Sequence, residues 1–154
     1  MKIPSKFLAI CAFFASLSVP VFGAPPETGK VIDAYLNVQT ALAKDDLAGA
    51  QKGAKELEAV SAEGDAKEIH AAAKEVVGAA NIDAARKAFG ALSNKTIAFA
   101  KNHKAGLEKE VYVAHCPMAL QGGADWLQST KKVANPYFGA SMLGCGSVKE
   151  TISK

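Results

Sequence analysis

Between Val31 and Phe99 the apolar residues of this chain recur every three or four positions, a period that leaves little room for anything but amphipathic helices. Val31, Tyr35, Val38 and Leu42 make the first stripe. Asp45 and Asp46 interrupt it, and either can cap a second helix by accepting from its free amides. Leu47, Ala50, Ala54 and Leu57 give that helix its apolar face. Gly64 ends the segment, and Asp65-Ala66-Lys67-Glu68 has the layout of a capping box, with Asp in place of Ser or Thr. Ile69, Ala72, Ala73, Val76 and Val77 mark a third helix. After the break at Gly78 and Asn81, the series Ile82, Ala85, Phe89, Leu92, Thr96, Phe99 predicts the longest helix, about twenty residues to near Lys101.

Four helices with short connections predict an all-α fold: an up-down antiparallel four-helix bundle followed by an irregular C-terminal segment that carries cysteine and methionine. The many alanines allow close helix approach but bury little area each, so the larger residues of the first and fourth helices should dominate the core. Nothing in these helices has the makings of a catalytic site. His70 reads as a surface residue. His103 lies one turn past Phe99 and reads as a helix-end residue pointing toward the C-terminal segment.

The N-terminus reads differently. Lys2 and Lys6 precede an apolar run from Phe7 to Val21, with small residues at Gly23-Ala24, the layout of a secretory signal peptide cleaved near Gly23. The run is shorter than the roughly 20 residues of a membrane span. Ile10 before Cys11, and the continuation of the run beyond it, argue against a lipid anchor. The expected organisation is a signal peptide over 1–23 and one helical domain over 24–154. Within that domain, 24–105 forms the bundle scaffold and 106–154 the Cys/Met segment. The protein is expected to be periplasmic, without a membrane anchor. The formal charge of +3 loses Lys2 and Lys6 on cleavage, leaving +1, and no basic stripe interleaved with aromatics occurs, which excludes nucleic acid as the expected partner.

With Met1 and Cys11 removed, all the sulfur of the chain falls in the C-terminal segment. Cys116 has Met118 beside it, and Cys145 has Met142. Val111 to Cys116 reads as a short strand, with Val111, Val113 and His115 on one face and Tyr112, Ala114 and Cys116 on the other. Pro117 stops it. Gly122-Gly123 and Asn135-Pro136 are turns, Trp126-Leu127 an apolar anchor that packs on the bundle, and Val148 to Lys154 a tail expected to fray. Two accounts of the cysteines stay open on the residues alone. In one, Cys116 and Cys145 form a disulfide, the default for an even pair in an oxidising compartment, stabilising by roughly 3–4 kcal/mol through a closed loop of about thirty residues. In the other, thiolates and thioethers converge on a soft ion such as Cu(I). The flanking methionines have a purpose only in the second, although methionine also fills gaps in cores.

His115-Cys116-Pro117-Met118, Trp126-Leu127, Asn135-Pro136-Tyr137-Phe138-Gly139 and Met142-Leu143-Gly144-Cys145-Gly146 together resemble a bacterial domain of unknown function. Ala85-Arg86-Lys87-Ala88-Phe89 and Leu92-Ser93 look like its upstream pattern. That domain occurs alone in exported proteins and at the C-terminal end of periplasmic adaptor subunits of copper and silver efflux pumps. The resemblance implies Cu(I) or Ag(I) held by Cys116, Met118, Met142 and Cys145, and a periplasmic metal-efflux or metal-handling protein as partner. His115 is a weaker candidate ligand, since a true strand turns it away from Cys116. Trp126, Asn135, Pro136, Tyr137 and Gly139 are expected to be structural. The chain lacks adaptor hairpin or barrel sequence, so a carrier, buffer or sensor fits it better than an adaptor. The alternative is a non-enzymatic interaction module braced by a Cys116–Cys145 disulfide. No CxxC motif, Ser-His-Asp arrangement or carboxylate pair beside a nucleophile points to an enzyme.

Overall fold

The computed structural model describes residues 27–154, so the expected signal peptide and Cys11 lie outside the described residues. Four helices follow in order: α1 (Thr28–Ala43), α2 (Leu47–Val60), α3 (Lys67–Val77) and α4 (Ile82–Asn102). The expected apolar stripes face the core, with Leu47, Val77 and Ile82 only partly buried. Val31, Tyr35, Val38 and Leu42 of α1, Ala50, Ala54 and Leu57 of α2, and Ala85, Phe89 and Leu92 of α4 are all fully out of solvent. None of the helices among the described residues is long and apolar enough to cross a membrane.

The caps separate two acidic pairs that look alike in sequence. Asp46 caps α2, its carboxylate accepting from the Gly49 amide at 2.8 Å, and Asn81 caps α4 by accepting from the Ala84 amide at 2.9 Å. The capping box expected at Asp65–Glu68 does not form. A short 3-10 turn (Gly64–Ala66) occupies those residues, and α3 starts from Ala66 with no side-chain cap. Asp65 instead reaches His103 at 3.3 Å, and Glu68 pairs with Lys95 at 2.8 Å. His103 stacks on Phe99 and bonds the Phe99 carbonyl, so it faces the α3 start rather than the C-terminal segment. His70, placed on the surface by the sequence, is partly buried, with Nδ1 2.9 Å from the Glu58 carbonyl.

The all-α expectation fails beyond residue 110. Three strands, β1 (Val111–Cys116), β2 (Ala124–Gln128) and β3 (Ser147–Ile152), form an antiparallel sheet in the order β2-β1-β3, and the fold is mixed α/β. The physical reason is that β1 needs hydrogen-bond partners on both edges. β2 supplies one edge within a hairpin, with His115 opposite Asp125 and Cys116 opposite Ala124. The other comes from the C-terminal residues, with Val111 opposite Ile152. The expected fraying tail is therefore an edge strand. Its pairing slips by one residue between Val113 and Ala114, where Val113 faces Glu150 and Ala114 faces Val148, which leaves Lys149 as a bulge.

One core joins helices and sheet. Tyr35 stacks on Phe89 with ring centroids 5.3 Å apart, Phe89 meets Tyr137 at 5.7 Å, and Tyr137 meets Trp126 edge-on at 6.0 Å. The Leu127 amide of β2 donates to the Tyr35 hydroxyl, which also bonds Ser93 of α4 at 2.6 Å. Burial pushes the Tyr35 phenol well above its ordinary range, so it remains a neutral hydrogen-bonding group between three elements.

Candidate soft-ligand site

Cys116 closes β1, and Pro117, which has no amide hydrogen, ends the ladder there. The chain turns at once, with the Ala119 amide donating to the Cys116 carbonyl, so Met118 sits at the tip of a tight turn. A second turn has the mirrored layout: the Cys145 amide donates to the Met142 carbonyl. Although 29 residues apart, the two cysteines meet, with their sulfur atoms 2.6 Å from each other and both thiols free. Cys116 is fully buried and Cys145 partly exposed. Both methionines are exposed, Met118 at 58% and Met142 at 37%. With Leu120 and Leu143 they are the exposed large apolar side chains of the described residues, and residues 117–124 and 139–147 carry no charge. Each exposed methionine thus shares a tight turn with one of the two touching cysteines, in a stretch of sequence that carries no charge.

The second turn is held by side chains from elsewhere. Asn135 is fully buried: its amide donates to the Leu143 carbonyl, its Nδ2 donates to the Cys145 carbonyl at 2.8 Å, and its Oδ1 accepts from the Tyr137 amide. Arg86 of α4 donates from Nε to the Pro136 carbonyl and from Nη2 to the Leu42 carbonyl and Asp45. The second oxygen of Asp45 accepts from the Ala140 amide at 2.9 Å. That amide first, and then the guanidinium, hold the Asp45 carboxyl below the usual carboxylate range. Gly139 lies at φ +57, and a Cβ there would run into Asp45 and Arg86, so no other residue fits this position without displacing the clamp.

Sequence reasoning passed over this clamp. Asp45 was one of two interchangeable cap candidates, and only the left-handed turn at φ 60 frees it for Arg86. The available signal was Arg86 itself, a cation placed between Ala85 and Phe89 on the buried side of a helix, with its side chain 12% exposed.

His115 is not brought to the thiols. The strand is real, and it sends His115 to the opposite face from Cys116, as the alternation requires. Its Nδ1 lies 2.7 Å from Asp125 of β2, whose other oxygen accepts from Lys149 Nζ at 2.5 Å. Burial alone would raise the Asp125 pKa, but the hydrogen bonds from Lys149 and His115 outweigh it and hold the carboxyl below its ordinary range. The Lys149 bulge is what lets β3 reach across β1 to this carboxylate. No cluster of three or more His, Cys, Asp or Glu suited to a metal occurs among the described residues. Any metal here would depend on sulfur.

The fit to a soft ion can be judged from distances. A tetrahedral ion with metal–sulfur bonds near 2.3 Å holds two thiolates about 3.8 Å apart. The Cys116 and Cys145 sulfurs lie closer together than that. An added Cβ at Gly144 would meet nothing within 4 Å, so this glycine itself is unencumbered next to Cys145. The Cys145 thiol is pushed up, chiefly by its hydrogen bond to Cys116 and then by burial. Thiols and thioethers are the donor types that select a soft ion.

The sequence profile of a family described as proteins of unknown function, DUF3347, matches residues 31–107. The matched stretch spans the four helices and stops short of β1, so the cysteines and methionines lie outside it. No curated protein and no solved structure matches the chain.

Proposed function

The chain belongs to this family of unknown function, and from that premise and the site's geometry we propose that it is a non-catalytic, exported soft-metal-binding protein. Its cargo is Cu(I), with Ag(I) as the close chemical relative, and it acts as a carrier, buffer or sensor beside a periplasmic metal-efflux or metal-handling protein. Cys116 and Cys145 supply the thiolates, and Met118 and Met142 the thioethers. The observation that carries this reading is the meeting of the two cysteines, each in a tight turn with its own exposed methionine. Exposed methionine has little to offer the core, since Met118 and Met142 bury less of themselves than any residue of the apolar stripes. As soft ligands at the surface they are placed where an ion can arrive and leave. His115, committed to Asp125, belongs to the sheet's own hydrogen bonding rather than to the ligand set.

An anaerobic titration of the reduced protein with Cu(I), in competition with a coloured chelator, tests this. One equivalent is expected to bind, and Cys116→Ser/Cys145→Ser is expected to abolish competition. Met118→Leu/Met142→Leu should weaken binding about tenfold, the equivalent of ~1.4 kcal/mol. Binding should tighten as pH rises, because thiols release protons to the solvent when they take the ion. Failure of the reduced protein to compete would leave the disulfide-braced interaction module as the better account.

A further inference from the structure

We infer that Cys116 and Cys145 close and reopen a disulfide by exchange with external thiols, that Cys145 is the sulfur attacked, and that closure switches the soft-metal site off. The last clause rests on the metal reading; the first two stand on geometry alone. The two sulfurs are 2.6 Å apart, within about 0.6 Å of the 2.03–2.05 Å of a disulfide bond. The pair is thus already juxtaposed for bond formation, closer than two thiolates on a tetrahedral ion would be. A closed bond also removes both thiolates from the ligand set, so the oxidised and loaded states exclude one another.

The two sulfurs differ in access. Cys116 ends the central strand opposite Ala124 of β2 and is fully buried. Cys145 is partly exposed between Gly144, which has nothing within 4 Å of an added Cβ, and Gly146 at φ +121. Asn135 pins the Cys145 and Leu143 carbonyls, so the backbone on either side of Gly144 is held while the glycine itself is unencumbered. An incoming thiolate must approach along the line of the S–S bond, and only the Cys145 end opens to solvent.

In the opening reaction a thiolate RS⁻ attacks Cys145 Sγ and forms an RS–S bond. The Cys116–Cys145 bond breaks, and its electron pair leaves on Cys116, which takes a proton from water. A second RS⁻ then attacks the external sulfur of the mixed disulfide, releasing RSSR and the Cys145 thiolate. Two external thiols are oxidised and one protein disulfide is reduced. Closure is the reverse, with a small or protein disulfide as oxidant.

The test equilibrates the protein in glutathione buffers of graded oxidised-to-reduced ratio, quenches with acid, alkylates the free thiols and reads the products by mass. The expected product is an internal disulfide that forms in one two-electron transition. Cys116→Ser should acquire glutathione at Cys145 at least tenfold faster than Cys145→Ser acquires it at Cys116. In the unmutated reduced protein, limiting iodoacetamide should label Cys145 first, a readout that does not depend on either variant folding. Equal rates together with equal labelling would overturn the assignment to Cys145. Absence of an internal disulfide in fully oxidised glutathione would overturn the switch. If the disulfide forms while the reduced protein fails the Cu(I) titration, the metal reading fails alone. If Cu(I) binds and no disulfide forms, the switch fails alone.

Discussion

The helical region and the C-terminal region are held together by different means. In α1 to α4, small and aliphatic side chains are buried in a repeating stripe, and what matters at each position is that it be apolar and of fitting size. From residue 111 onward a few polar side chains do the holding, each through named backbone atoms. The Asn135 side chain holds two backbone groups, Arg86 binds two carbonyls and a carboxylate, and Gln128 accepts from Trp126 and Ala134 while donating to Thr130 and Lys132. The first kind of structure tolerates exchange of one aliphatic for another. The second does not, because a buried polar group that loses its partner costs its full desolvation. The sulfur-bearing turns are built on the intolerant region.

The largest effect should come from removing the residue both regions share. Phe89→Ala empties the space between Tyr35 and Tyr137 and is expected to cost about 3–5 kcal/mol in denaturant unfolding. Fluorescence of Trp126 and helical circular dichroism should lose stability together. Separate midpoints would break the claim of one core.

Next in size is Asn135→Ala, expected to cost about 1–3 kcal/mol by orphaning the Tyr137 amide and the Cys145 carbonyl. Hydrogen exchange should quicken at Tyr137 and Cys145 while the α2 and α3 amides keep their protection. Uniform loss would deny the contrast between the regions.

Asp46→Ala removes a true cap and should cost about 1 kcal/mol, whereas Asp65→Ala, which removes none, should stay within about 0.5 kcal/mol. Equal costs in thermal melts would restore the capping box that the structure lacks.

The acid limb of stability sharpens the comparison further. Asp45 and Asp125 have carboxyl pKa values lowered by the fold. Their contribution is complete above the unfolded aspartate pKa of about 3.9 and fades as pH falls through the lower folded values. Asp45→Asn and Asp125→Asn should each flatten the loss of stability below about pH 4. A profile indifferent to both would show that neither carboxylate is held as described.

The helices were legible because their information is local. A stripe such as Val31, Tyr35, Val38, Leu42 states its own face, and Asp46 and Asn81 state where the next helix starts. Local signals also misled: Asp65 to Glu68 satisfies the capping-box pattern, yet the 3-10 turn and the pull of His103 and Lys95 outweigh it. In the candidate site, the pairing of each cysteine with a methionine was readable, as was the turning away of His115, which follows from strand alternation. Asn135, Tyr137 and Gly139 were expected to be structural, but which atoms they meet is visible only in the fold.

By itself the sequence determined the four helices, the strand that ends in Cys116 and the gathering of sulfur at one end of the chain. Only the tertiary structure decided that the last residues pair with β1, that Asp45 and Arg86 clamp the Cys145 turn, and that two thiols 29 residues apart come to lie 2.6 Å from one another. The division has one physical cause. A helix satisfies its backbone within four residues, whereas a strand takes its partners from wherever the chain returns, and the pattern of β3 carries no mark of the strand it will meet.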